Sequence, residues 1–332
     1  MVPDRLLACL RERLGAGIDF EAPPAALSGG FDTSVSAFRL KGAPVAWSGD
    51  LVLRVMGFAA SATRVRREAA THAALVEAGF PAPRILLAEP DGAVLGKPFL
   101  IMERLPGETM WSATVGPNGR LARLRAMPRQ LGEIHARLHG VAGEALLASA
   151  RRFDVDPALV TLAGEVGRIR TRIEEAGVAG LLPGAAWLEQ KLPPPAQPEV
   201  ICHGDFHPLN IMVQDGQVTG VIDWPQAIVA EPAYDVAATR VLGRFGNLRI
   251  PTWARAPAGL GRWLMLRRYR LTYRAHRPLD ERNIPYFEAV RVLSALTFAG
   301  ERPGPGNPWG EPHILAAIYR HFERIAGVRV RI

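Results

Sequence analysis

The chain has 332 residues, of which 48% are hydrophobic and 22% charged, so it is long enough to bury a large core in two lobes. Its net charge is +8, but 37 of the 40 basic residues are arginines scattered singly and in pairs, which is typical of a solvated surface and argues against a nucleic-acid partner. Two cysteines, an N-terminus without an apolar leader and no long apolar run predict a cytoplasmic protein with no disulfide framework, zinc site or membrane partner.

The first hundred residues are predicted to form a small lobe rich in β-strands. Leucines at helical spacing predict a helix over residues 4–15, and a Pro/Ala connector over 21–26 follows it. The further predicted elements are a strand, glycine-rich turn and strand over 27–40, strands at 50–56, 84–88 and 99–103, and a helix over 61–78. The sequence Leu105-Pro106-Gly107 indicates a hinge, which assigns residues 1–105 to an N-terminal lobe.

The rest of the chain, residues 106–332, is predicted to be a larger and mostly helical lobe. Helices are expected at 121–140, 156–176, 233–243, 257–275, 284–299 and 312–326. A strand over 200–202 precedes a hairpin whose strands, 211–213 and 219–222, flank the turn signal Asp215-Gly216. The fold class is therefore α+β with two lobes, and ligands favour the cleft between such lobes.

The most informative motif is His203-Gly-Asp205-Phe-His207-Pro-Leu-Asn210, followed by Val221-Ile-Asp223-Trp224. Asp205 is the candidate catalytic carboxylate, which must reach the acceptor hydroxyl, while Asn210 and Asp223 offer the oxygen ligands that Mg²⁺ prefers. Any one of these residues alone would more often cap a turn. The three together, at this spacing, favour phosphoryl transfer, which asks a protein mainly for positioning and neutralisation of charge.

Three further polar residues near this motif are predicted to have mainly structural roles. His203 is expected to contact the backbone of the metal-binding turn and hold its shape. His207 either faces the cleft or packs against the surface, and the sequence does not separate these alternatives. Asp235, at the start of a predicted helix, is expected to cap that helix or to support the motif loop.

A glycine-rich segment near the N-terminus is a candidate phosphate-covering loop. It contains Ser28, Gly29, Gly30, Thr33 and Ser34. Glycines let backbone N–H groups approach phosphates closely, and the hydroxyls add donors. An ordinary hairpin turn is the alternative, because two glycines between strands are common without any ligand.

Arg54 stands in the third strand where a kinase usually has lysine, and Glu68 on the following helix is its predicted partner. An arginine can grip phosphate and carboxylate but is not equivalent to lysine. The alternative is that Glu68 forms a solvent-exposed pair with a neighbouring arginine. Glu103 and Leu105, at the end of the strand before the hinge, are placed to offer backbone groups to an adenine edge.

The motif from His203 to Asn210, together with Ile222-Asp223-Trp224, Glu231-Pro232 and Asp235, resembles the aminoglycoside phosphotransferase family, or phosphotransferase enzyme family. Similar N-terminal segments are Leu27-Ser-Gly-Gly-Phe31, Val52-Leu-Arg54, Arg67-Glu68 and Phe99-Leu-Ile-Met-Glu103-Arg-Leu-Pro-Gly107. The resemblance extends over roughly residues 20 to 325. It implies a protein-kinase-like fold in which residues 1–105 are the nucleotide-binding lobe, with a five-stranded sheet, and residues 106–332 are the catalytic and substrate-binding lobe. It also implies transfer of the γ-phosphoryl group of ATP or GTP, with Mg²⁺, to a hydroxyl of a small molecule.

The resemblance leaves the acceptor open. Arg54 is similar to the branch of kinase domains fused to acyl-CoA dehydrogenases. Aminoglycosides are polycations whose enzymes usually need an acidic pocket, whereas this chain is basic. The charge therefore favours a neutral or anionic hydroxyl compound, with acyl-CoA-like compounds among the candidates. A nucleotide-binding pseudokinase that regulates a partner is the alternative, motivated by the missing lysine. The oligomeric state is left open.

Overall fold

A computed structural model describes residues 2–27, 33–57, 62–115, 121–195, 197–246, 255–304 and 307–332. The chain forms two compact units. The first comprises Met1–Glu108, Ala148–Asp156 and Met212–Pro225, and the second comprises Thr109–Leu147, Pro157–Ile211 and Gln226–Ile332. The predicted lobe boundary at residue 105 stays a prediction.

The first unit is built on a five-stranded antiparallel sheet with strand order β1-β2-β3-β5-β4. Its elements are α1 (Val2–Leu14), β1 (Asp19–Ala26), β2 (Thr33–Lys41), β3 (Asp50–Met56), α2 (Ala62–Glu77), β4 (Ile85–Glu89) and β5 (Phe99–Glu103). The predicted five-stranded sheet is confirmed. The predicted connector over 21–26 is wrong, because this segment is the edge strand β1. Its two prolines are tolerated there, where the β1–β2 register shifts between Ala22 and Ala25.

Alternation along the strands places the two helices of this sheet on opposite faces. Phe99 and Ile101 of β5 pack in the cluster that contains Leu6 and Leu10 of α1. Leu100 and Met102 pack in the other cluster, with residues of α2. Because successive side chains of a strand point to opposite faces, residues 52, 54 and 56 of β3 point to the α2 face.

The predicted hairpin over 211–222 is confirmed. It consists of β8 (Ile211–Gln214) and β9 (Gln217–Val221), after the short strands β6 (Glu108–Thr109) and β7 (Val200–Cys202). Asp215 and Gly216 join the two strands with φ of 50° and 80°. Positive φ at both central residues is the geometry that matches the twist of a two-residue hairpin, and Asp-Gly is a favoured pair for it.

The second unit is mainly helical. Its elements include α3 (Met110–Val115), α4 (Leu121–Leu138), α6 (Leu162–Glu175), α7 (Leu182–Gln190), β10 (Ile228–Ala230), α8 (Pro232–Phe245), α9 (Arg255–His276), α10 (Ile284–Glu301) and α11 (Pro312–Ala326); α5 (Gly143–Arg152) precedes α6. The predicted helix over 156–176 begins only at Leu162, because Thr161 caps it by accepting the Gly164 N–H at 3.2 Å. The predicted helices from α8 to α11 are confirmed.

The core of the second unit gathers around α10, whose residues are buried on nearly every side. Strand β7 pairs antiparallel with β10, and Cys202 lies opposite Ile228. Cys202 is a buried free thiol, as predicted. Within the described ranges we find no helix with the length and apolar character that crossing a bilayer requires.

Candidate active site

The loop between β7 and β8 brings together three polar side chains of the predicted motif. Asn210 donates from Nδ2 to the backbone oxygen of Asp205 at 3.0 Å, and the same nitrogen lies 3.5 Å from Asp205 Oδ2. His207 Nε2 lies 3.3 Å from that carboxylate oxygen. Of the two alternatives for His207, the structure therefore places it against the candidate catalytic carboxylate.

Arg291 of α10 contacts the same carboxylate from the other side. Its Nη2 donates to Asp205 Oδ1 at 2.5 Å. Burial alone would raise the pKa of Asp205, but Arg291 and then His207 outweigh burial and hold the pKa well below its ordinary value. The carboxylate is therefore ionised at neutral pH. The sequence analysis missed Arg291, although an arginine between Val290 and Val292, which are both buried, is a recognisable signal.

Asp235 of α8 holds the backbone of this loop. Its Oδ2 accepts the His203 N–H at 2.6 Å, and its Oδ1 accepts the Gly204 N–H at 2.9 Å. Of the two predicted roles, support of the motif loop is confirmed, while the capping position of α8 is occupied by Glu231. The structural role predicted for His203 is also confirmed, since its Nδ1 accepts the Asp205 N–H at 3.2 Å.

Two buried histidines of α4 converge on Asp235. The Nε2 atoms of His135 and His139 lie 3.1 Å and 3.3 Å from Asp235 Oδ2. Each Nδ1 lies 2.7 Å from a tyrosine hydroxyl, that of Tyr269 or Tyr273. Burial lowers the pKa of His135 to about 4 and lowers that of His139, so both rings are neutral at neutral pH.

Three ligand-type atoms of this cluster lie within 4.8 Å of one another, as a metal site would require. Neutral rings that accept a tyrosine O–H at Nδ1, with the His139 proton on Nε2 directed to Asp235, suit these hydrogen bonds without an ion. We therefore interpret the cluster as a hydrogen-bonded support of the motif loop. Sequence reasoning missed it, although histidines four residues apart lie on one face of a helix.

In the first unit, Arg54 joins two carboxylates. Its Nη1 lies 2.5 Å from Glu68 Oε1, and its Nη2 lies 2.9 Å from Asp223 Oδ1. The predicted Arg54–Glu68 pair is confirmed, because position 54 points to the α2 face. The alternative of a solvent-exposed Glu68 is wrong, since this residue is 1% exposed. Burial raises the pKa of Glu68, and Arg54 acts against that shift.

Asp223 is presented by a constrained loop that follows β9. Its φ is 68°, in the left-handed region that aspartate tolerates better than most residues. The next residue, Trp224, is buried, donates from Nε1 to the Val221 oxygen at 2.9 Å and packs edge-on against Phe80. Arg67 donates to the oxygen of Pro225. The Asp223 side chain stays 42% exposed, so it is open to a ligand.

The other predicted nucleotide contacts are less fully described. Ser28, Gly29 and Gly30 lie outside the described residues. Thr33 and Ser34 begin β2, opposite Met56 and Val55 of β3.

At the end of β5, Glu103 forms an ion pair with Arg84 at 2.6 Å, and Leu105 lies against Gly220. The roles of all these residues in nucleotide binding stay predictions.

The fold and the motif together are those of protein-kinase-like phosphotransferases. They comprise a five-stranded antiparallel sheet, a mainly helical second unit and a loop with aspartate and asparagine five residues apart. The family model described as the phosphotransferase enzyme family (APH) matches residues 25–279, and the chain belongs to this family. The predicted enzyme class, a phosphotransferase with an alcohol group as acceptor, is thereby confirmed at the level of the family.

Individual relatives agree with this assignment. Acyl-CoA dehydrogenase family member 11 of Gallus gallus is 29% identical over 185 residues, which cover 53% of this chain and 23% of that protein. The chain thus spans less than a quarter of that relative's length.

Among solved structures, the aminoglycoside-3'-phosphotransferase of type VIII has a TM-score of 0.57 and 21% identity, over 87% of this chain and 98% of that one. A thermostable mutant of aminoglycoside phosphotransferase APH(4)-Ia, solved as a ternary complex with AMP-PNP and hygromycin B, has a TM-score of 0.56 and 17% identity, over 97% of each chain. Both likenesses show the protein-kinase-like fold.

Proposed function

We propose that this protein is a kinase that uses Mg²⁺ and ATP, or GTP, to phosphorylate a hydroxyl of a small molecule in the cytoplasm. The observation that carries the proposal is the Asp205 carboxylate. It lies on the same loop as Asn210 and is held ionised by Arg291 of α10. An ionised carboxylate with one side available can accept a hydrogen bond from an acceptor hydroxyl and orient its oxygen for attack.

The donor set suits Mg²⁺. The Asn210 amide nitrogen faces Asp205, so its oxygen is the atom that we assign to the cation, and the half-exposed carboxylate of Asp223 provides the second ligand. When bound, the cation neutralises charge on the nucleotide phosphates. Arg54 would then hold Asp223 and Glu68 in place, and the AMP-PNP bound by the hygromycin B enzyme supports a nucleoside triphosphate as the donor.

The acceptor that we favour is neutral or anionic. A guanidinium 2.5 Å from the proposed catalytic carboxylate disfavours an acceptor hydroxyl flanked by ammonium groups, as in aminoglycosides. The relative named as an acyl-CoA dehydrogenase family member makes acyl-CoA-like hydroxyl compounds the first set to screen. We propose no nucleic-acid or membrane partner.

Thermal-shift titration with ATP and GTP, each with and without Mg²⁺, tests this function. A ligand that binds only the folded state raises the melting temperature by mass action. We expect a Mg²⁺-dependent rise that Asp223→Ala removes. Asp154→Ala is a matched control, because Asp154 also has a positive φ of 56° and pairs with an arginine, Arg66, at 2.8 Å.

An unchanged melting temperature with both nucleotides would contradict the proposal and favour the search for a regulated protein partner. Asp205→Ala separates the two functions further. If the protein is a kinase, the variant should lose turnover and keep the nucleotide-dependent rise in melting temperature. If it is a pseudokinase, the wild type itself should show no turnover.

A further inference from the structure

Arg291 lies where it can control the orientation of the proposed catalytic carboxylate. Its guanidinium contacts two acceptors, Asp205 Oδ1 through Nη2 at 2.5 Å and Gln226 Oε1 through Nη1 at 3.1 Å. The side chain is 10% exposed, and its guanidinium lies over the ring of Trp309, with 5.8 Å between the charged carbon and the ring centroid. The arginine is therefore fixed by its helix, by an aromatic ring and by two hydrogen bonds.

The backbone next to Asp205 is closely packed as well. Gly204 has φ of 79°, and a Cβ added there would come within 2.7 Å of the backbone oxygen of Gln226. The segment with Gln226 thus packs directly on the motif loop. Arg291 bridges this segment and Asp205 through the two arms of one planar group, which a lysine could not reproduce.

The two oxygens of Asp205 have different surroundings. Oδ1 is taken by the short contact with Arg291. Among the described residues, Oδ2 has the longer contacts, 3.3 Å to His207 Nε2 and 3.5 Å to Asn210 Nδ2. A contact of 3.5 Å is at the limit of a hydrogen bond, so Oδ2 keeps acceptor capacity for a further donor.

We propose that Arg291 is a positioning residue that holds Oδ1 of Asp205 and so assigns Oδ2 to the acceptor hydroxyl. The inference rests on the proposed function for the role of Asp205, but the contacts of Arg291 are independent of it. Arg291 touches no reacting atom in this assignment. It acts through the carboxylate, because a small misplacement of a catalytic group costs a large factor in rate.

Steady-state release of ADP from Mg²⁺-ATP, with water as the acceptor, measures the effect of Arg291→Met. We expect kcat to fall by roughly 10²-fold while the KM for ATP stays within about twofold. Arg291→Lys should give an intermediate kcat, because it keeps the charge and one contact. A rise in KM at unchanged kcat would overturn the proposal, as would an equal kcat for the Lys and Met variants.

Arg172→Met is the matched control for general damage to α10. Arg172 of α6 forms a two-armed ion pair with Glu301 of α10, in which Nε and Nη2 each lie 2.8 Å from a carboxylate oxygen. Its kcat should match that of the wild type, and a loss equal to that of Arg291→Met would contradict positioning. Should Arg291→Met fail to fold, Arg291→Lys and Gln226→Leu give the same readout with a smaller expected loss.

Crystal structures of the wild type and of Arg291→Met distinguish failure of this inference from failure of the proposed function. If the wild type shows neither ADP release nor a nucleotide-dependent thermal shift, the proposed function fails, but the structures still report the Asp205 side chain. A carboxylate rotated away from its wild-type rotamer in Arg291→Met supports positioning by Arg291. An unchanged rotamer overturns it.

Discussion

Two aspartates of the predicted motif, Asp205 in the second unit and Asp223 in the first, each pair with an arginine but differ in their surroundings. Asp205 is 17% exposed and is contacted by Arg291, His207 and Asn210. Asp223 is 42% exposed, and Arg54 is its ion-pair partner. The difference agrees with the two proposed roles, because orienting a hydroxyl requires a fixed carboxylate, whereas binding a cation requires one that ligands can reach.

The largest expected effect comes from removing the more constrained aspartate. Asp205→Ala should lower turnover by about 10²- to 10⁴-fold, the range for loss of a general base. The nucleotide-dependent rise in melting temperature should remain. Turnover by ADP release and binding by thermal shift are measured on the same preparation, and a variant that keeps wild-type turnover would contradict the role of Asp205.

Removing the support beneath Asp205 should mainly cost stability. Asp235→Ala leaves two backbone N–H groups and the buried His139 imidazole without their acceptor, so we expect the free energy of unfolding to fall by about 4 kcal/mol. Urea unfolding measures this loss. Asp235→Asn keeps one acceptor oxygen and should cost less, and an equal cost for both variants would argue against the hydrogen bonds as the cause.

Acid should weaken the same support. Burial lowers the pKa of His135 from 6.5 to about 4. His135 therefore binds a proton below pH 6.5 in the unfolded chain but only below about pH 4 in the folded chain. The free energy of unfolding decreases as the pH falls through this window. This displacement is worth on the order of 3 kcal/mol.

Asp235 acts in the same direction. Burial alone would raise its pKa, but His135 and His139 outweigh burial and hold the pKa well below the ordinary value of 3.8, so its contribution is lost only below the pH window of His135. Urea unfolding at several pH values between 4 and 7 tests the slope, and His135→Gln should make it shallower. A slope equal to that of the wild type would show that other groups cause it.

The smallest expected effect sharpens the comparison at the more exposed aspartate. Arg54→Lys keeps the charge but has a single nitrogen, so it should keep the buried Glu68 and lose Asp223. Because Asp223 is half-exposed, the loss in stability should be only about 1 kcal/mol. Urea unfolding measures the loss. Arg54→Met leaves the buried Glu68 without its arginine, and an equally large loss for Arg54→Lys would mean that lysine cannot pair with Glu68 either.

The sequence predicted contacts that follow from local geometry. The Arg54–Glu68 pair follows from strand alternation and a helix that comes next in the chain, and the hairpin turn follows from Asp215-Gly216. Arg291 lies 86 residues from Asp205, and no periodicity predicts that two such distant positions meet. The edge strand β1 was missed because prolines argue against a strand unless its position at the sheet edge is known.

The hydrogen bonds between Asp235 and the motif loop couple the stability of that loop to the packing of the second unit. The amide groups of His203 and Gly204 donate hydrogen bonds to the carboxylate of Asp235, which has no exposed surface and lies between α4, α8 and β7. They should exchange with deuterium only when this core opens, as slowly as the slowest amides of α10. Substitutions deep in α4 or α8 would therefore speed that exchange and reduce activity without touching Asp205, Asn210 or Asp223.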